Sequence, residues 1–275
     1  MQRGSTRLGE RLRSVPDLVV AGEAPLAGHT TFRIGGPAEW LVEVPTLRGL
    51  RGLLEVVGEA AVPFQLLGLG SNVLIPDEGL PGVVIRLTGY FRRVRVRGTR
   101  VSAGAALPLA LLARRMSERG LVGLEALSGF PSTVGGAVFM NAGCYGTEIK
   151  DILLRATLVD RAGRLCRIVV EKLAPAYRST ALQGGEAIVT RASFQLARGD
   201  AATALARIRE LNERRWSSLP SGLPNAGSIF RNPPDDYAGR LIEAVGLKGR
   251  RNGDAQISER HANVIVNRGR ARAVD

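Results

Sequence analysis

The sequence predicts an α+β protein of two or three subdomains. Three observations lead there. Strand-like runs at residues 63–67, 73–76, 83–87 and 94–103 follow one another with no helix between them, unlike the strict strand–helix alternation of a parallel sheet. Two glycine-rich turns, Gly68-Leu-Gly-Ser-Asn72 and the stretch 129–146, interrupt the chain where a nucleotide fold would start a helix. And 275 residues, 45% hydrophobic and 23% charged, suffice for a sizeable core and argue against disorder.

Taken in order, residues 5–15 carry Leu8, Leu12 and Val15 at helical spacing, and Pro16 ends that helix. Gly35, Gly36 and Pro37 turn the chain into a strand at 39–44. Thr46 caps a helix over 47–58, whose Leu50, Leu53, Leu54 and Val57 form one apolar face. Asp77, Glu78 and Gly79 form a turn before the strand at 83–87, and Gly98-Thr99 is the bend of a hairpin over 94–103. A helix over 108–120 places Leu111, Leu112, Arg115 and Met116 in register and stops at Gly120. Strands follow at 156–160, 165–170 and 187–194. Asp200 caps a helix over 201–215 that turns Leu205, Ile208 and Leu211 inward. A helix over 237–245 and a strand over 264–267 close the chain.

Net charge is +13, and Lys150, Lys172 and Lys248 are the only lysines, so the cations are overwhelmingly arginine. Nucleic-acid binding is the sharper reading of that charge. The scatter of the arginines and an aromatic content of 5% argue against it. The densest group, Arg92, Arg93, Arg95, Arg97 and Arg100, alternates with Val94, Val96 and Val101 like the solvated face of a strand. Cys144 and Cys166 fit neither a zinc pattern nor a disulfide framework, and a reducing compartment is expected. No run is long enough for a membrane helix and no apolar leader precedes residue 13, so the expected location is the cytoplasm.

The chemistry concentrates in the glycine turns. Glycine permits positive φ and close approach of a ligand, and successive backbone N–H groups there bind anions. The turn at 68–72 lacks the third glycine and the immediate helix of a Rossmann fingerprint. Together, the two turns read as holding the pyrophosphate and ring system of a flavin dinucleotide. Ser228, in Asn225-Ala-Gly-Ser-Ile-Phe-Arg-Asn232, is a proton donor, a nucleophile or a turn residue. With His29 and His261 the only histidines and no G-x-S-x-G elbow, a hydrolase is discounted. Alone, Arg178 reads as a surface arginine and His261 as a structural histidine.

The blocks at 30–38, 68–75, 123–145, 177–178, 226–233, 238–249 and 257–267, in that order, resemble the flavin-dependent UDP-N-acetylenolpyruvoylglucosamine reductases of bacterial peptidoglycan synthesis, in their shorter subtype. The resemblance implies a two-part FAD-binding domain of the vanillyl-alcohol-oxidase (PCMH) type plus a small α/β substrate-binding domain. Its boundaries are a tail at 1–22, FAD subdomains at 23–90 and 91–198, and a substrate domain at 199–275. It implies non-covalent FAD, NADPH as reductant, and reduction of the enolpyruvyl ether of UDP-N-acetylglucosamine to UDP-N-acetylmuramate by a monomer without nucleic-acid partner, membrane span or metal. Carried over residue by residue, Arg178 and Ser228 are catalytic, Ser228 as proton donor. Arg33, Gly68, Gly70, Ser71, Asn72, Gly129, Thr133, Gly135, Gly136, Asn141, Ala142 and Gly143 bind the cofactor. Tyr177, Arg215, Arg231 and Asn232 bind the substrate.

There are departures. The family's catalytic glutamate lies beyond the last matching block, and no residue up to Asp275 is assigned that role. Thr180 stands for a serine, Ser218 for a frequent lysine, Pro175 for a frequent aromatic and Ser132 for a glycine. The alternatives are a family member that binds FAD with impaired or no turnover, and a flavin oxidase of the same superfamily.

Overall fold

The computed structural model describes residues 2–185, 187–220 and 222–275, with side chains from Thr6 onward. Helix α1 (Gln2–Ser14) buries Leu8 and Leu12. Strands β1 (Val19–Pro25) and β2 (Pro37–Val44) lead to α2 (Leu47–Ala60). Thr46 starts α2 as its spacing predicts, its hydroxyl accepting the Gly49 N–H at 3.0 Å. Leu50, Leu53, Leu54 and Val57 are all buried. Strand β3 (Phe64–Leu66) pairs in parallel with β4 (Leu80–Leu87), completing a sheet of order β1-β2-β4-β3. Residues 73–76, expected to be extended, join no ladder.

The hairpin of β5 (Val94–Arg97) and β6 (Arg100–Gly104) turns at Gly98, with φ of 60°. Helix α3 (Leu109–Ser117) is shorter than expected, and its buried face is Leu109, Leu112 and Met116. Leu111 is exposed instead, because one residue along a helix turns a side chain about 100° from its neighbour. After β7 (Leu121–Val122), the glycine-rich stretch is not simply a loop: it contains the short helix α4 (Val134–Phe139) and the hairpin β8 (Gly143–Cys144) with β9 (Thr147–Glu148).

Strands β10 (Leu153–Val159), β11 (Leu165–Val169) and β12 (Ile188–Gln195) complete an antiparallel sheet of order β11-β10-β12-β6-β5. One face, with Val101, Ala156, Leu158, Ala192 and Phe194, is buried, and α4 packs against β12 and β6. Strand β13 (Ala197–Arg198) pairs with β7. Helix α5 (Ala201–Ser218) buries Ala204, Ile208 and Leu211, and Asp200 caps it by accepting the Thr203 N–H at 2.8 Å. The last sheet has the order β14-β17-β16-β15, from β14 (Asn225–Ser228), β15 (Arg251–Asn252), β16 (Ala255–Ile257) and β17 (Val264–Asn267). Helix α6 (Ala238–Ala244) lies between β14 and β15 in sequence and ends before Gly246, whose φ is 71°.

The chain forms two compact units. One comprises residues up to Gly22, Trp40–Gly68 and Gly82–Asn212, and the other Glu23–Glu39, Leu69–Pro81 and Glu213–Asp275. The first holds one large apolar core around Leu50, Phe91, Leu112 and Phe194. The second has a small core of Phe32, Ile34, Ala226 and Ala271, and leans on polar ties. Thr31 donates its N–H to Gly70 O at 3.0 Å and its hydroxyl to Asn225 O at 2.7 Å, and Asn267 Nδ2 donates to Phe32 O at 3.1 Å.

Candidate functional site

The turn after β3 is built for glycine. Gly70 has φ of 63°, and a Cβ there would sit 2.2 Å from His29 O. Both the backbone region and the contact exclude a side chain. The N–H groups of Gly68, Leu69, Gly70 and Asn72 donate to no protein acceptor among the described residues. Several adjacent donors without acceptors are what a phosphate or another anion needs.

The stretch 129–146 behaves differently. Thr133 caps α4 by accepting the Gly136 N–H at 3.1 Å. Val134 N–H goes to Leu107 O at 2.9 Å, Gly135 N–H to Ala105 O at 2.8 Å and Ala137 N–H to Thr133 O at 2.9 Å. These glycine amides are therefore consumed within the fold, and the unclaimed donors lie in the 68–72 turn. Gly68 approaches this stretch closely: a Cβ on it would stand 3.1 Å from Thr133 Oγ1. Upstream, Glu125 Oε2 accepts the Gly123 N–H at 2.8 Å, while Oε1 is buried with no partner. The unclaimed amides and the positive-φ glycine of the 68–72 turn suit the phosphates of a dinucleotide such as FAD.

Asn141 is a buried hub with φ of 39°. Its Nδ2 donates to Glu148 Oε2 and Ala176 O, both at 3.0 Å, and its Oδ1 accepts the Lys150 N–H at 3.0 Å. Glu148 also pairs with Lys150 at 3.0 Å, and that contact raises the lysine's pKa. Asn141 thus ties three segments together. Gly143 lies inside this knot, and a Cβ there would meet Glu148 Cγ at 2.7 Å.

Arg178 is placed by the same knot. Ala176 and Ser179 exchange backbone hydrogen bonds at 3.0 and 3.1 Å, leaving Tyr177 and Arg178 at the tip of a tight turn. Arg178 has φ of 55°, a position that favours glycine. Its Nη2 donates to Gly143 O at 2.7 Å and its guanidinium lies 5.1 Å from the Tyr177 ring centroid. Thr180 donates its hydroxyl to Phe139 O at 2.7 Å, a bond that the serine it replaces could equally make. Gln183 Nε2 donates to Arg178 O at 3.1 Å.

In the second unit, Ser228 is exposed on edge strand β14, just after Gly227 with φ of 76° and a break in register. Such bulges re-aim a side chain. Asn263 is buried and grips the next residues: its Oδ1 accepts the Phe230 N–H at 2.9 Å, its Nδ2 donates to Phe230 O at 2.8 Å, and its carbonyl accepts the Ile229 N–H at 3.0 Å. Asn232 Oδ1 accepts the Ala238 N–H at 3.1 Å, and Arg231 is exposed. Asn267 holds the backbone carbonyl of Phe32 beside Arg33, whose φ is 57°. Burial first, then the nearby charges of Lys248 and Arg215, lower the pKa of half-buried His261. Ser218 spends its hydroxyl on Arg215 O at 3.0 Å of its own helix.

Within the first unit the fold gathers Thr133, Asn141, Gly143 and Arg178 around α4. Within the second it gathers Arg33 and Gly70 with the strand bearing Ser228. Sequence reasoning missed Glu148, Asn263 and Asn267, whose side chains hold the predicted residues in place. The available signal was the presence of Asn263 and Asn267 in a matching block at strand ends, where amides bind neighbouring backbone.

A family model described as FAD binding domain matches residues 38–168, and one described as UDP-N-acetylenolpyruvoylglucosamine reductase, C-terminal domain, matches residues 219–275. The crystal structure of p-cresol methylhydroxylase with substrate bound shares the fold, with TM-score 0.53 at 12% identity over 72% of this chain and 44% of that one. The family models and the relatives named next define the class, a flavin-dependent oxidoreductase, and the fold is that of a two-part FAD-binding domain. UDP-N-acetylenolpyruvoylglucosamine reductase 2 of Symbiobacterium thermophilum is 47% identical over 271 residues, 98% of this chain and 88% of that protein. The reductase structure from Thermus caldophilus superposes with TM-score 0.82 at 39% identity, over 94% of this chain and 91% of that one. The chain belongs to the UDP-N-acetylenolpyruvoylglucosamine reductase family.

Proposed function

We propose that this chain reduces the enolpyruvyl ether of UDP-N-acetylglucosamine to UDP-N-acetylmuramate with NADPH, a step in cell-wall precursor synthesis. The supporting observation is the match to a reductase of that name over 98% of the chain. FAD, when bound, supplies the hydride-carrying chemistry that side chains lack. The Gly68–Asn72 amides would hold its pyrophosphate, with Arg33, Ser71, Gly129, Thr133, Gly135, Gly136, Ala142 and Gly143 around it and Asn141 fixing the wall behind.

Hydride addition to the terminal carbon of an enol ether leaves negative charge on the carbon beside the carboxylate. Arg178 stabilises that charge. Its guanidinium is already held by Gly143 O and the Tyr177 ring, so little reorganisation is needed as charge develops. Ser228 then delivers a proton to that carbon through its hydroxyl, helped by a neighbouring charge because serine is a weak acid. Arg215 and Arg231 take the diphosphate by charge-assisted hydrogen bonds, and Tyr177 and Asn232 contact the sugar nucleotide. The FAD subdomains are assigned to 23–90 and 91–198 and the substrate domain to 199–275. The reading takes the chain as a cytoplasmic monomer, with Cys144 and Cys166 not joined in a disulfide. Protein loaded with FAD should sustain NADPH oxidation beyond one equivalent per flavin only when the enolpyruvyl sugar nucleotide is present. Failure to bind FAD, or NADPH consumption indifferent to that substrate, would overturn the reading.

A further inference from the structure

The outward face of the five-stranded sheet carries a charge that none of the proposed chemistry uses. Cross-strand partners share a face. Arg155 stands opposite Ser193, which stands opposite Ser102, which stands opposite Arg95. Thr157 lies between Arg167 and Arg191, and Arg100 lies opposite Arg97. Six arginines therefore point out of one sheet, and none of its five strands contains an aspartate or glutamate. The whole chain has 25 acidic residues against 38 basic ones, so an even spread would place about two or three acids in strands of this total length.

Pairing separates this face from the rest of the surface. Elsewhere arginines meet carboxylates, as in Arg86–Glu43 at 3.0 Å, Arg114–Glu118 at 2.9 Å and Arg207–Glu210 at 2.7 Å. Among the described residues, none of the six sheet arginines has a carboxylate partner. Arg191 is half-buried, 5.2 Å from the Tyr90 ring centroid, and the other five are exposed. Beside Arg167 on the same face, Leu165 and Val169 are each 45% exposed.

We propose that this face docks the protein on an anionic phospholipid surface. Charge complementarity selects a polyanion. The choice of lipid over nucleic acid rests on composition. The five strands present no exposed aromatic on which a base could stack. It does offer aliphatic side chains level with guanidiniums, the pattern of an interfacial surface that meets headgroups and the acyl boundary together. Basic residues near such a surface contribute about 1 kcal/mol each, roughly fivefold in binding.

The test is flotation of the full chain, loaded with FAD, with vesicles of phosphatidylglycerol and phosphatidylcholine in equal parts. At an ionic strength of about 0.01 M, where the Debye length is about 30 Å, the protein should float with these vesicles and not with phosphatidylcholine alone. Replacing Arg95, Arg97 and Arg155 together by threonine, which suits strands, should weaken binding about a hundredfold while flavin content and reductase activity stay as in the wild type. The triple change Arg114→Gln, Arg207→Gln, Arg251→Gln removes the same charge from paired positions and should weaken it far less. No flotation with the anionic vesicles, equal loss in both triple variants, or tighter binding to duplex DNA through the same three arginines would overturn the proposal.

Discussion

Arg178 and Gly143 are locked together: the guanidinium Nη2 donates to Gly143 O at 2.7 Å, and the space where a Cβ would grow on Gly143 is bounded by Glu148 Cγ at 2.7 Å and by Arg178 Nη1 at 3.3 Å. The glycine is therefore required by the arginine's position as well as by the hairpin. Gly143→Ala should displace Arg178 without removing its charge. The expected outcome, in protein saturated with FAD, is reduction of the flavin by NADPH slowed little and its reoxidation by the enolpyruvyl substrate slowed about 100-fold, the size of losing one transition-state donor. Arg178→Lys should give a similar loss, because an ammonium cannot both hold Gly143 O and present a planar fork. Rapid-mixing measurement of the two half-reactions checks both variants. Equal slowing of both halves would remove Arg178 from its role.

Much of this was legible in the sequence because it is local. Thr46 and Asp200 cap helices where their spacing says, and the hairpin bends at Gly98. Positive φ was harder to read, since Arg33, Asn141 and Arg178 occupy it without being glycine. A non-glycine residue held there marks strain that surrounding contacts must maintain. Those contacts, such as Glu148 to Asn141 or Asn267 to Phe32 O, join segments far apart in sequence, and no periodicity announces them. The helix inside 129–146 was hidden for the same reason: glycine disfavours helices, but the Thr133 cap and the Ala105 and Leu107 carbonyls secure this one from outside. Of the arginines read as a solvated strand face, Arg95, Arg97 and Arg100 lie on one, while Arg92 and Arg93 precede it in a turn. The sheet arginines' lack of acidic partners emerged only when five strands were aligned.

Asn263 should act on the reaction through the strand that carries Ser228. Asn263→Asp keeps the acceptor for Phe230 N–H and loses the donor to Phe230 O while ionised. Losing that part-buried bond and setting a carboxylate oxygen against the carbonyl costs about 1–3 kcal/mol, so substrate reduction at neutral pH should fall about ten- to a hundredfold. Burial favours the neutral acid, and the protonated carboxyl regains an O–H donor. Relative to wild type, the variant should therefore recover as pH falls, with kcat changing more than KM. Ser228→Ala, lacking the proton donor itself, should be slow at every pH. A variant-to-wild-type ratio independent of pH would show that Asn263 only stabilises the fold.

Asp236 gives a pH signature in stability rather than rate. Its carboxylate accepts hydrogen bonds from the Arg240 guanidinium and from the Tyr237 N–H at 2.7 Å, and the Arg240 contact chiefly lowers its pKa to about 2. A carboxyl with a depressed folded-state pKa binds its proton more readily when unfolded, so stability rises with pH through the interval between the two values. The contribution is complete above the ordinary aspartate value of 3.8 and lost as pH falls from there toward about 2. Asp160 and Asp200 shift the same way, so the wild type alone cannot isolate it. The difference in thermal midpoint between wild type and Asp236→Asn, small because the pair is at the surface, should shrink through that interval. A difference that holds constant from neutral pH into strong acid would mean that the Asp236 carboxylate contributes no pH-linked stability to α6.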